Sequence, residues 1–228
     1  MALDIKVVIP ASGTGARLGG DVPKQFQLLG GEPILRRTLA VFAGLSCVSE
    51  IAVAVPDGFL SHVQAYGFEK VRHIVTGKAT RAESVFAALQ CFEQNDGIVL
   101  VHDAARPFVT EEIIKAVADA SSKYGAAVAC APVTDTIKQV DSDGKIIATP
   151  DRRNLWQAQT PQGFTYEILM RAYAKAQADG YLAAATDDSA LVERLGMPVH
   201  IVPASPSNIK ITTPADLIAA RAFLENRI

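Results

Sequence analysis

The residues most suited to chemistry stand near the start: Ala11-Ser12-Gly13-Thr14-Gly15-Ala16-Arg17-Leu18-Gly19, then Pro23-Lys24-Gln25. An apolar run over 5–10 empties straight into them. Glycines let backbone N–H groups come close to phosphate oxygens, and a following helix turns its positive end to the same place. Arg17 and Lys24 add charge where a reacting phosphate must be neutralised. The competing reading is a glycine-rich turn without a ligand, but such a turn does not need two cations spaced through an exposed loop. Two better-known phosphate patterns are excluded. No Gly-x-x-x-x-Gly-Lys-Ser/Thr string occurs. The dinucleotide fingerprint needs its third glycine five residues after the first, and counting from Gly13 that position holds Leu18.

Three further clusters carry polar groups at the ends of apolar runs. His102-Asp103-Ala104-Ala105-Arg106-Pro107 follows the run over 97–101. Asp103 there either holds a divalent cation, since Mg²⁺ takes one or two carboxylates with phosphate oxygens and water, or caps a turn. Arg106 offers a planar fork to a phosphate or carboxylate. His102 has no obvious partner and reads as structural rather than as a base. Gly77, Arg81 and Ser84 fall at a helix start. The Ser84 hydroxyl either reads a base edge or ribose or is a simple surface group, and Arg81 suits bracing loops through a carboxylate. Lys210, expected to emerge from a strand, is a solvated charge unless its apolar neighbours in Asn208-Ile209-Lys210-Ile211 direct it. No nucleophile motif, Cys–His pair or zinc spacing is present. The chemistry indicated is positioning and charge neutralisation around phosphate, not covalent catalysis.

These groups need a scaffold, and strand and helix signals alternate along the chain. Strands are expected over 5–10, 50–55, 72–75, 97–101, 126–132 and 199–202. Helices are expected over 33–44, 60–66, 80–92, 110–123, 165–179, 186–195 and from 214 on, with Thr80 and Glu83 forming a capping-box pattern. This alternation predicts an α/β fold: a mostly parallel, Rossmann-like sheet with helices on both faces. In such sheets ligands gather outside the carboxyl ends of the strands. One region breaks the rhythm: 136–140 and 145–149, joined by Asp141-Ser142-Asp143-Gly144, read as a polar hairpin inserted over 133–155. A two-stranded ribbon is marginal alone, so packing against another subunit is expected.

The 228 residues suit one α/β domain, 1–228, carrying that arm. Net charge is −2, which gives no general pull toward nucleic acid or an anionic membrane. Cys47, Cys91 and Cys130 are odd in number and form no CxxC pair, which suits buried thiols in a reducing cytoplasm. No signal-peptide pattern opens the sequence and no run is long enough for a membrane span.

Taken together, the strings are specific. Val8-Ile9-Pro10-Ala11-Ser12-Gly13-x-Gly15-x-Arg17-Leu18-Gly19, Pro23-Lys24-Gln25, Arg81-Ala82-Glu83-Ser84-Val85, Val101-His102-Asp103-Ala104-Ala105-Arg106-Pro107, Thr160-Pro161-Gln162, Thr186-Asp187-Asp188-Ser189-Ala190 and Asn208-Ile209-Lys210 occur in this order over nearly the whole chain. In them the chain resembles the 2-C-methyl-D-erythritol 4-phosphate cytidylyltransferases of non-mevalonate isoprenoid biosynthesis. The resemblance implies that CTP and methylerythritol phosphate give the cytidine diphosphate derivative and pyrophosphate, with Mg²⁺ beside Asp103. It assigns Arg17, Lys24 and Lys210 as catalytic cations. It places Ala11, Ser12, Gly13, Gly15, Gly77, Ser84, Asp103 and Ala104 at CTP, and Arg106, Thr136, Arg152 and Thr160 at the acceptor. It also implies a homodimer in which the hairpin serves the neighbouring site. The chain departs from the family's usual pattern at Ser207, where Asp is common, at Ser12, where Ala is usual, and in the loop holding Lys78. The rival readings are a ribitol-5-phosphate cytidylyltransferase and a binding protein that keeps the fold without turnover.

Overall fold

The computed structural model of the chain describes residues 3–13, 18–19, 22–93 and 96–225. Gly15 and Arg17 therefore lie outside the described residues. In chain order the elements are β1 (Ile5–Pro10), β2 (Leu28–Leu29), β3 (Glu32–Pro33), α1 (Ile34–Ala43), β4 (Val48–Val55), α2 (Leu60–Gln64), β5 (Val71–Thr76), α3 (Arg81–Leu89), β6 (Ile98–Val101), α4 (Glu111–Tyr124), β7 (Ala126–Pro132), β8 (Gln139–Val140), β9 (Ile146–Ala148), β10 (Trp156–Thr165), α5 (Tyr166–Ala178), α6 (Asp188–Glu193), β11 (His200–Pro203) and α7 (Pro214–Glu225). Seven strands make one sheet in the order β11-β7-β10-β6-β1-β4-β5. Its pairings are parallel except at β10, which runs antiparallel to both β6 and β7.

The two-residue period of the strands divides the core. Val7 and Ile9 face Leu35, Leu39 and Phe42 of α1 and Ile113, Ile114 and Val117 of α4. Val8 faces the opposite layer with Val85 and Leu89 of α3, Leu169 and Tyr173 of α5 and Leu191 of α6. Helices thus cover both faces, as the alternation predicts. Each fully buried aliphatic or aromatic side chain contributes roughly 1.5–3 kcal/mol, so truncating Phe42, 0% exposed, to Ala would cost about 3–5 kcal/mol. The helix starts are chemically marked. Thr80 and Glu83 form the predicted capping box on α3, Thr110 Oγ1 accepts from Ile113 N, and Asp187 accepts from Ala190 N. A smaller cluster of Leu29, Ile34, Phe108, Ile211 and Ala220 seats α7 and the β2–β3 hairpin.

Several elements depart from the sequence expectation, the short β2–β3 hairpin among them. β10 has no counterpart in the apolar pattern, because Gln157, Gln159, Thr160 and Gln162 are polar and Pro161 and Gly163 weaken a strand. Trp156, Gln157 and Ala158 are exposed, but residues 159–164 are nonetheless buried and the strand's end lies between β6 and β7, with a register shift between Ala158 and Gln162 and a cis Thr160–Pro161 bond. Lys210 sits not on a strand but in the loop before α7, anchored where Ile211 N donates to Ala105 O at 2.8 Å. The predicted hairpin is present as β8 and β9, shorter than expected, and residues 134–149 are all exposed.

Candidate active site

The strand order reverses at β1, with β4 and β5 on one side and β6 on the other. A crevice opens at such a switch point because the flanking loops diverge above it. Here the loops after β1, β5 and β6 enclose a cavity of about 430 Å³. Ala11, Ser12 and Gly13 line it from β1, Lys78, Ala79 and Thr80 from the β5–α3 loop, and Asp103 and Ala104 from the end of β6. Lys24 and Lys210 complete the wall. Four cations, Lys24, Lys78, Arg81 and Lys210, line the cavity with one carboxylate, Asp103, so it is electropositive. A second cavity of about 240 Å³ shares Arg81, Asp103 and Lys210 with the first and adds Arg106, Gln159, Thr160 and Asp187.

Asp103 is the junction. Its Oδ2 lies 2.8 Å from Lys210 Nζ and 3.6 Å from Arg106 Nε, and its Oδ1 is 3.2 Å from Arg81 Nε. Burial pushes the Asp103 carboxyl up, but Arg81, Lys210 and Arg106 outweigh it and hold it well below the usual carboxylate range. Arg81 also reaches Asp188 Oδ2 at 2.8 Å, an ion pair held by proximity rather than by a well-directed hydrogen bond. Burial acts to lower Arg81, yet Asp188 and Asp103 raise it overall. Asp188 is wholly buried and accepts the Tyr173 hydroxyl proton on Oδ1. A chain of polar contacts thus runs from the core through Asp188 and Arg81 to the cavity floor.

The neighbouring groups are fixed as firmly. Thr160 Oγ1 accepts from Asp103 N at 3.0 Å, and Asn208 Nδ2 donates to Thr160 O at 2.8 Å and to Gln159 Oε1 at 2.9 Å. Arg106 Nη1 donates to Asn208 O at 2.6 Å. Gln25 Nε2 donates to Ala11 O, tying the Lys24 turn to the end of β1. His102 is buried, and its Nε2 donates to Arg106 O at 3.0 Å. Burial drives it down to about 4, so at neutral pH it is an uncharged brace, as the sequence suggests.

The described sequence candidates fall in four places. Ala11, Ser12, Gly13, Lys24, Asp103, Ala104 and Lys210 line the larger cavity. Gly77 and Ser84 lie against Ser12 behind its wall: a Cβ on Gly77 would meet Ser12 Cβ at 2.0 Å, and Ser84 is fully buried. Arg106 and Thr160 line the smaller cavity. Thr136 and Arg152 stand instead on the exposed arm, where Arg152 Nη1 donates to Thr134 O. Gln159, Asp187 and Asn208 went without a role at the sequence level, although the strings that contain two of them were visible. Among the described residues no three His, Cys, Asp or Glu side chains gather as a metal cluster, and no helix is long and apolar enough to cross a membrane.

Comparison with known proteins follows the same lines. A profile of the IspD, 2-C-methyl-D-erythritol 4-phosphate cytidylyltransferase, family matches residues 5–226. The enzyme of that name from Symbiobacterium thermophilum is 46% identical over 225 residues, spanning 99% of this chain and 94% of its own length. The one from Syntrophus aciditrophicus is also 46% identical, over 97% of this chain and 96% of its own length. In fold, the crystal structure of the Francisella tularensis enzyme of the same name gives a TM-score of 0.84 at 33% identity, over 96% of this chain and 99% of that one. The 4-diphosphocytidyl-2C-methyl-D-erythritol synthase of Anaerococcus prevotii gives 0.85 at 30% identity, over 99% and 100%. Matched along nearly its full length in both sequence and fold, the chain is a nucleotidyltransferase belonging to the 2-C-methyl-D-erythritol 4-phosphate cytidylyltransferase family.

Proposed function

We propose that the two joined cavities are where this cytidylyltransferase brings CTP and 2-C-methyl-D-erythritol 4-phosphate together, forming 4-diphosphocytidyl-2-C-methyl-D-erythritol and pyrophosphate. The observation that carries the reading is the shared wall: Lys210, Asp103 and Arg81 border both cavities, so two phosphorylated ligands would meet there. In this reading CTP takes the larger cavity and the acceptor phosphate lies near Arg106 and Thr160. An acceptor phosphate oxygen attacks the α-phosphorus, and the bond to the pyrophosphate oxygen breaks. Negative charge grows on the α-phosphate and the leaving group, and Arg17, Lys24 and Lys210 are assigned to neutralise it. Lys210 rests on Asp103, and that carboxylate keeps its ammonium at the junction of the cavities.

Magnesium fits as an ion carried in by the nucleotide. Asp187 caps α6, and both oxygens of Asp103 are paired with Arg81, Lys210 and Arg106, so Asp103 would hold the ion once one of those cations turns to the phosphates, with phosphate oxygens and water as the other ligands. When bound, the ion would withdraw charge from the phosphates. The arm over 133–155 supports a homodimer, because Val140, Ile146 and Ile147 are 50–56% exposed on a two-stranded ribbon. Thr136 and Arg152 on that ribbon would serve the partner's acceptor cavity. Three free cysteines agree with a reducing, cytoplasmic setting. Pyrophosphate release from CTP, measured with each acceptor in turn, tests the reading. Release is expected with methylerythritol phosphate. Release with ribitol 5-phosphate alone would reassign the acceptor cavity, and release with neither would favour a binding protein.

A further inference from the structure

We infer that Leu18 is a positioning residue for the transfer reaction: its packing into the small third core fixes the chain directly after Arg17 and so sets where that cation acts. This rests on the assignment of Arg17 to the charge that develops on phosphate. In the stretch 11–19 glycines stand at 13, 15 and 19, and Leu18 is the only large apolar side chain. Glycines widen the choice of backbone conformations, and a cation serves as a preorganised charge only where the backbone beside it is tied down. Ala11 ties the near end: it is buried, and its N donates to Ala54 O at 2.7 Å. Arg17 comes well after that anchor but directly before Leu18. Leu18 is half-buried and packs against the cluster built on Leu29, Phe108 and Ile211. Gly19 follows at φ +72°, and its carbonyl accepts from Gln27 Nε2 in the segment after Lys24.

The base under Leu18 is firm, and other cations of the site share it. Leu29 O accepts from Arg37 Nε at 2.6 Å. Gly30 lies so close to α7 that an added Cβ would stand 2.2 Å from Leu224 Cδ2, so the β2–β3 hairpin is pressed onto that helix. Ile211 is wholly buried and bonded to Ala105 O. Lys210 stands between Ile209 and Ile211, both in this packing, and Arg106 and Pro107 lead directly into Phe108. The two main core layers carry the sheet, whereas this satellite cluster gathers the residues next to the charges. A group that must act within about 0.5 Å of its working geometry depends on such packing beneath it.

The test is a kinetic cycle on the intact protein with CTP and methylerythritol phosphate. Turnover is measured by pyrophosphate release, CTP affinity by calorimetry, and folding of each variant by thermal unfolding. Arg17→Ala should lower kcat by about a hundredfold or more. Leu18→Ala should lower kcat by about tenfold or more, at a temperature well below its unfolding midpoint, while the CTP dissociation constant stays within about threefold. Leu18→Met keeps the apolar length and should hold kcat within about threefold of the wild type. In the Arg17→Ala background, Leu18→Ala should cost no more than about twofold, because a residue that acts through Arg17 then has nothing left to place. If Leu18→Ala does not fold, Leu18→Val removes less of the side chain and takes its place in the cycle, with an expected loss of about threefold that again vanishes without Arg17. A loss that persists in full in the Arg17→Ala background overturns the inference, since it marks a general loosening. So does a folded Leu18→Ala protein with kcat within about twofold of the wild type. An Arg17→Ala protein with near-normal kcat would remove the assignment of Arg17 and the inference together.

Discussion

Replacing Asp188 by Ala takes away a wholly buried carboxylate that touches neither proposed ligand. Arg81 lies 2.8 Å from it. Two unit charges at that separation attract by about 6 kcal/mol at an effective dielectric constant near 20, a gross figure largely offset by desolvation. Breaking a buried pair from one side costs about 3–5 kcal/mol. Arg81 keeps 29% of its side chain exposed and retains Asp103 at 3.2 Å, so the discounted loss is about 2–4 kcal/mol. The Tyr173 hydroxyl loses its acceptor as well, which adds about 1 kcal/mol. Urea unfolding should show a lower midpoint at unchanged slope. A cycle with Arg81→Met should give a coupling of about 1–3 kcal/mol, because an apolar side chain does not demand the missing charge. A loss below about 1 kcal/mol, or additivity within about 0.5 kcal/mol, would show that the Tyr173–Asp188–Arg81 chain does not hold the cavity floor.

Lys24→Ala should lower kcat by about a hundredfold or more while the CTP dissociation constant moves by no more than about threefold, because the charge it meets develops in the transition state. Steady-state kinetics with calorimetry check this, and a change confined to KM contradicts it. Lys24→Ala and Arg152→Ala, each inactive, should recover part of the activity when their subunits are exchanged, since one mixed site would be intact. No recovery after exchange is verified by mass spectrometry counts against a shared site. Burial holds His102 at about 4 against an ordinary value of 6.5. Between those values the unfolded chain binds a proton that the folded chain refuses, so stability is full above pH 6.5 and falls as pH drops toward 4, by about 3 kcal/mol. Unfolding midpoints at pH 7 and pH 4.5 test this, and an equal acid loss in His102→Gln would refute it.

The sequence was legible where one local pattern dominates. Val7, Val8 and Ile9 need only burial on two faces to declare a strand, and Thr80 with Glu83 declares a helix start through bonds within four residues. The same holds for Lys24, Asp103 and Lys210, whose strings reach the cavity edge. β10 was not legible, because its polar side chains are satisfied by distant partners. Gln162 Oε1 accepts from Asp188 N and Ser189 N, and Gln159 Oε1 accepts from Asn208 Nδ2. Nothing near residue 160 in the chain announces those partners. Asp188 is hidden in the opposite way. As an acid in a helix's first turn it fits the helix dipole, whereas its surroundings make it an internal counter-ion for Arg81.

β10 also sets the order in which the chain can be finished as it leaves the ribosome. β6 and β7 are neighbours in sequence, yet β10 lies between them, and it emerges only after the arm has been made. Until then Ile98–Val101 keeps one edge unpaired, with every residue of the strand apolar, and most of Ala126–Pro132 is equally apolar and unpaired. Such edges invite pairing with other chains. A nascent chain stalled before residue 165 would therefore carry an incomplete sheet, and the polar strand least visible in the sequence is the one whose arrival closes it.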